Sequence, residues 1–150
     1  MTAFHGAKLA ILVGRKIVTI LRDDTPAIPW PGHWDLPGGA REGTETPGAC
    51  VLRELHEELG ITLTHRDLHW RMQSATSAGD RIWFFVSEQP GFQVETICFG
   101  SEGQAWRLAD IDWFMAEPKV IPRHRERLQN YLDLKGKTRA GAWFGGVSNK

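Results

Sequence analysis

Apolar residues first gather at Leu9–Val13 and again at Ile17–Leu21, with Gly14-Arg15-Lys16 between them. Two short apolar runs around a glycine-bearing turn predict a β-hairpin. Asp23 to Gly32 holds three prolines and two aspartates and reads as a loop, followed by a brief strand at Trp34-Asp35-Leu36 that Pro37-Gly38-Gly39 ends. Leu68–Ser74, Arg81–Ser87 and Phe92–Phe99 read as further strands. Pro122–Leu134 predicts a C-terminal helix, with Leu128, Tyr131, Leu132 and Leu134 available for packing. The tail from Gly136 to Lys150 is glycine-rich and reads as partly disordered, with Trp143 and Phe144 able to dock. The pattern is mixed α and β, and it lacks the regular β-α-β alternation of a parallel sheet.

The clearest element is a helix from Pro47 to Leu59. Thr46 is a natural N-cap, Pro47 suits the first helical position and Gly60 supplies the stop. At about 100° per residue, Leu52, Leu55 and Leu59 form one stripe, which packs on the core. Glu54, Glu57 and Glu58 fall on the far side, with Glu54 at i,i+3 and i,i+4 from the other two. Such like-charge pairs cost a few tenths of a kcal/mol each in an isolated helix. A solvated face would intersperse lysine, and this one does not. Three carboxylates on one turn suit a hard divalent cation with oxygen ligands, although a solvated acidic patch accounts for these three equally well.

Composition narrows the alternatives. Hydrophobic residues make up 41% of the 150 and charged residues 24%, ordinary values for a globular domain. Lys plus Arg balances Asp plus Glu at 18 each, so no global field favours extended nucleic acid or anionic lipid. Any affinity for phosphate is local. Cys50 and Cys98 form neither a ligand pair nor a disulfide framework and read as buried, reduced thiols. Met1–Lys8 lacks the basic and apolar regions of a leader, and no apolar run approaches the roughly 18 residues that span a bilayer. The sequence therefore reads as one soluble, cytoplasmic domain.

The surroundings of the acidic helix change its weight. From Gly39 through Glu45, Arg53, Glu54, Leu55, Glu57, Glu58 and Gly60 to Ile61, the chain resembles the Nudix box, G-x₅-E-x₇-R-E-U-x-E-E-x-G-U, with every fixed position met. Seven such coincidences in one register have a chance on the order of 10⁻⁸ at ordinary residue frequencies. Gly32-His33-Trp34-Asp35-Leu36-Pro37-Gly38-Gly39 is similar to the lead-in common in the family, and Glu102-Gly103-Gln104 to the segment where MutT-like members place another carboxylate. The resemblance covers residues 7 to about 134, and the box is its specific part.

The resemblance implies an α+β fold: an αβα sandwich with a mixed sheet, the box forming a loop–helix–loop. It implies Mg²⁺ as cofactor, with Mn²⁺ as a substitute, bound by Glu54, Glu57, Glu58, Glu102 and the Gly38 carbonyl. Gly38 and Gly39 would lie against substrate. The implied activity is hydrolysis of a nucleoside diphosphate linked to another moiety, with Glu54 or Glu102 as general base and Arg53 orienting the carboxylates. The implied partner is a small nucleotide-type substrate, and a homodimer stays open. A non-catalytic nucleotide sensor of the same fold is the alternative, and its usual mark, eroded box carboxylates, is missing.

Other residues carry weaker expectations. Arg22, ending a predicted strand, either reaches a substrate phosphate or is a surface arginine. Trp30 and Trp34 are stacking candidates beside the loop, whereas Trp83, Phe84 and Phe85 read as core. His33, His56 and His124 read as surface residues, and Cys50 as a small packing residue beside the site. The segment Phe114–Ile121 lacks the asparagine with which MutT-like enzymes read oxidised guanine, which removes the reason to expect that substrate.

Overall fold

The computed structural model describes residues 3–144, with side chains through 137. The hairpin forms as expected, from β1 (Gly6–Val13) and β2 (Lys16–Leu21). Its two-residue turn places Gly14 at φ 62°, where other residues are strained. β3 (Trp34–Asp35) and β4 (Gly38–Ala40) precede helix α1 (Pro47–Leu59). After it come β5 (Trp70–Ala75), β6 (Arg81–Glu88), β7 (Ala105–Asp110), α2 (Ile111–Ala116) and α3 (Pro122–Phe144).

The seven strands form one mixed sheet ordered β3-β2-β1-β6-β5, with β4 also pairing β1 and β7 also pairing β2. β1 runs parallel to β6 from Gly6↔Ile82 to Leu12↔Glu88, and every other pair is antiparallel. The missing β-α-β alternation therefore did not exclude a parallel pair.

Successive strand residues point to opposite faces, so a continuous apolar run means burial on both. Leu9 and Ile11 pack with Leu55, Leu59 and Phe85 on the α1 face. Ala10 and Leu12 pack with Phe84, Phe114 and Leu128 on the face covered by α2 and α3. Helices on both faces of one sheet make the expected α+β, αβα sandwich.

One predicted strand needs correction. Phe92–Phe99 is not a strand: it holds a 3₁₀ turn at Val94–Thr96 and then closes the end of α1. Cys98 N donates to Leu59 O and Gly100 N to Glu58 O, so this backbone satisfies carbonyls the helix leaves open. The strand beside β2 is β7 instead. Its alternation of Trp106 and Leu108 with Arg107 was the available signal. α3 runs through Gly136 to Phe144, past the helix end predicted at Leu134. The expected docking of Trp143 and Phe144 lies outside the described side chains.

Candidate active site

The caps of α1 are those the sequence predicts. The Thr46 side chain accepts from Ala49 N at 3.2 Å, and Gly60 sits at φ 66° with its N–H on His56 O. Leu55 and Leu59 are fully buried and Leu52 partly so. That fixes the rotation of the helix and turns its glutamate face toward β4.

The approach of β4 to its neighbours demands glycine. Gly38 has φ 133°, and a Cβ there would lie 2.1 Å from Ala7 O. A Cβ on Gly39 would lie 2.6 Å from the Glu54 carboxyl carbon. The double glycine thus lets the helix carboxylates reach the strand backbone.

Arg53 organises this face. Its Nε and Nη2 hold the two Glu45 oxygens at 2.6 and 3.1 Å, and Nη2 also donates to Ala40 O at 2.9 Å. Its Nη1 meets Glu54 at 3.2 Å and Glu57 at 3.1 Å. Arg53 therefore ties box loop, strand and helix together. Hydrogen bonding by Arg53 holds the Glu45 carboxyl below its ordinary value.

Glu58 points elsewhere, its Oε1 accepting from Gly38 N at 2.9 Å. It lines a cavity of about 160 Å³ together with Glu102, Arg22 and Asp35. The Gly38 carbonyl accepts from Lys8 Nζ at 3.2 Å. Among the described residues, no three His, Cys, Asp or Glu side chains stand together at metal-binding spacing. The glutamates expected to share one cation are divided, Glu54 and Glu57 drawn to the Arg53 fork and Glu58 to the Gly38 N–H.

The electrostatics of these groups nevertheless fit a divalent cation. Burial pushes the Glu58 carboxyl up to about 7, only partly offset by Lys8, and raises Glu54 against the pull of Arg53. These carboxylates are under-compensated by the protein's own cations, and all the expected donors are hard oxygens. Glu54, Glu57, Glu58 and Glu102 are the residues that could hold such an ion.

Sequence reasoning missed the hub beside this site. Asp35 is buried, and its Oδ2 meets Lys8 and Arg22, each at 2.9 Å. Its Oδ1 meets His124 Nε2 at 2.6 Å and Leu36 N at 2.7 Å. Burial alone would raise the Asp35 carboxyl, but Lys8 and His124 more than reverse this and hold it far below the usual range. His124 is a core residue, 2% exposed, not the surface histidine expected. Arg22 is neither free nor simply superficial: it binds Asp35 and Pro29 O while lining the cavity. The one signal available was an aspartate between apolar neighbours in a predicted strand.

The remaining candidates sort readily. Cys50 is buried with its thiol on Gly39 O, and burial raises it to about 11, so it stays protonated. Cys98 is exposed, contrary to expectation. Trp34 packs edge-on to Trp113, whereas Trp30 borders a second cavity, of about 470 Å³, between the start of β1 and α3. Phe84 and Phe85 are buried on opposite faces, as core residues should be.

Comparison with known proteins agrees with this architecture. The chain is 54% identical over 33 residues to an 8-oxo-dGTP diphosphatase of Proteus vulgaris, which covers 22% of this chain and 30% of that protein. It is 26% identical over 131 residues to an RNA pyrophosphohydrolase of Halorhodospira halophila, covering 75% and 71% respectively. The crystal structure of a MutT protein from Methanosarcina mazei superimposes with a TM-score of 0.69 at 20% identity, covering 88% of this chain and 94% of that one. The first of these relatives is spanned for under a third of its length, and the structural likeness speaks for the fold. Among the described residues, no helix is long and apolar enough to cross a membrane. The NUDIX domain family model matches residues 4–131, and the chain belongs to the Nudix hydrolase superfamily.

Proposed function

We propose that the chain acts as one domain that hydrolyses the diphosphate linkage of a nucleoside diphosphate joined to another moiety. The observation that carries this reading is the complete set of box carboxylates beside the Gly38-Gly39 backbone, with Glu58 and Glu102 opening onto one cavity. A sensor that binds without cleaving has no need to keep every one of these acids. The names of the relatives, a diphosphatase and a pyrophosphohydrolase, support the same class of chemistry.

Attack at phosphorus is opposed by the charge on its oxygens, and more charge develops on the departing phosphate. Mg²⁺, or Mn²⁺ in its place, would neutralise that charge and orient the attacking water when bound. Glu54, Glu57, Glu58 and Glu102 would hold the ion, joined by the Gly38 carbonyl. Glu54 and Glu102 are the two candidates to take the proton from water. Arg53 fixes where Glu54 and Glu57 stand and so acts through them. The balanced charge favours a small soluble nucleotide over a polymer, and a cytoplasmic setting suits that substrate.

The substrate within the class stays open. The match to the 8-oxo-dGTP diphosphatase spans too little of the chain to carry that substrate, and Phe114–Ile121 lacks the amide expected for it. A panel of nucleotides incubated with and without Mg²⁺ tests the reading, with chromatography to detect the monophosphate products and phosphate release after pyrophosphatase addition to detect pyrophosphate from triphosphates. Mg²⁺-dependent turnover supports it. Binding without turnover favours the sensor, and neither response favours a plain interaction domain.

A further inference from the structure

The 470 Å³ cavity between the start of β1 and α3 has the volume of a small-molecule pocket. It shares Arg22 and Asp35 with the smaller cavity of Glu58 and Glu102, so the two lie on either side of that ion pair. Ile82 and Ile121 give it apolar wall, and Arg123 and Arg127 of α3 give it charge.

Those two guanidiniums are unbalanced. Arg127 is 4% exposed, and its three hydrogen bonds go to neutral acceptors: Ser74 Oγ at 2.8 Å, Ala75 O at 2.6 Å and His124 Nδ1 at 3.0 Å. Among the described residues it makes no ion pair. Arg123 beside it has neither a hydrogen bond nor an ion pair among the described residues. Of the two carboxylates on the cavity wall, Asp35 is already saturated by Lys8, Arg22, His124 and Leu36 N, and Asp80 forms no ion pair with either arginine among the described residues. Asp35 and Glu126 oppose the Arg127 charge only from a distance; a buried guanidinium without a contacting ion pair is costly, and its planar fork matches phosphate oxygens. Two donors on Arg127 and all five on Arg123 are unspent.

We propose that this cavity is a subsite for a phosphate monoester carried by the substrate away from the diphosphate that is cleaved, with Arg123 and Arg127 as its ligands. The inference rests on the nucleotide reading of the neighbouring site. It adds a substrate class: nucleoside diphosphate derivatives bearing one further phosphate.

Calorimetric titration of the full chain in metal-free buffer tests it with matched pairs differing only in that phosphate: NADPH against NADH, and coenzyme A against its 3′-dephospho form. The wild type is expected to bind each phosphorylated member about tenfold tighter or more, the scale of a charge-assisted hydrogen bond. Arg123→Ala should remove the difference with an unchanged melt, and Arg123→Gln should repeat the result. Equal binding of the two members, or no binding of either, overturns the proposal. So does an Arg123→Ala variant that weakens both members alike, because the arginine would then hold the shared diphosphate. The titration reads no turnover, so failure of hydrolysis would leave this result standing.

Discussion

His124 and Asp35, 89 residues apart in the chain, meet in the interior with Nε2 and Oδ1 2.6 Å apart. The opposite ring nitrogen faces Arg127 Nη1 at 3.0 Å, and a guanidinium can only donate. Nδ1 must therefore accept, which makes His124 neutral with its proton on Nε2, directed at the carboxylate. Burial lowers the His124 pKa in agreement, despite the raising influence of Asp35.

This arrangement sets the response to acid. Both groups have folded-state values below their ordinary ones, 6.5 for His124 and 3.8 for Asp35, so the unfolded chain takes up protons first. The stability they contribute is complete above those values and lost as pH falls through the lowered folded ones. Between about pH 7.5 and about pH 5 the His124 contribution falls with pH, while Glu58, pushed up to about 7, acts in the opposite sense, so His124 is read from the difference in urea midpoint between wild type and His124→Gln, which should shrink as pH falls. Asp35→Ala, which strands Lys8 and Arg22 beside a cavity, should cost about 3–5 kcal/mol.

Arg53 offers a sharper test of positioning. Its planar fork holds Glu45 through two nitrogens while reaching Glu54 and Glu57 with a third. Arg53→Lys keeps the charge and cannot reproduce those contacts. Steady-state assays should register a loss of about 10–100-fold in activity or metal affinity, with lysine rescuing little of what alanine removes. Full rescue by lysine would reduce Arg53 to a point charge.

The two glycines of β4 should fail differently. A methyl on Gly38 meets backbone at 2.1 Å and φ 133° is strained for any side chain, so Gly38→Ala should lower stability by about 1–3 kcal/mol or more in denaturant titration. A methyl on Gly39 meets the end of the flexible Glu54 side chain, which can move. Gly39→Ala should keep most of its stability and lose activity.

What was legible in the sequence was what local rules govern. Caps, helical period and the apolar stripe located α1 to the residue, and two apolar runs around a glycine turn placed the first hairpin. The box named the carboxylates and the arginine that gathers three of them, Glu45, Glu54 and Glu57. Hidden were features that distant segments decide together. Nothing near His124 or Asp35 in sequence announces their pairing, and Phe92–Phe99 has a strand's composition while serving the carbonyls at the end of α1. The division of the three glutamates between Arg53 and Gly38 N–H likewise depends on β4 packing on α1.

The most direct measurement compares Mg²⁺-dependent nucleotide hydrolysis by the wild type and Glu57→Gln, with circular dichroism to verify the fold. Glu57 is exposed and accepts from Arg53 Nη1 at 3.1 Å, a bond that a glutamine oxygen can keep, so the substitution chiefly removes a charge. Turnover should vanish in the variant while its melting curve is unchanged. Near wild-type rates in Glu57→Gln would contradict the assignment of these carboxylates to metal-assisted hydrolysis.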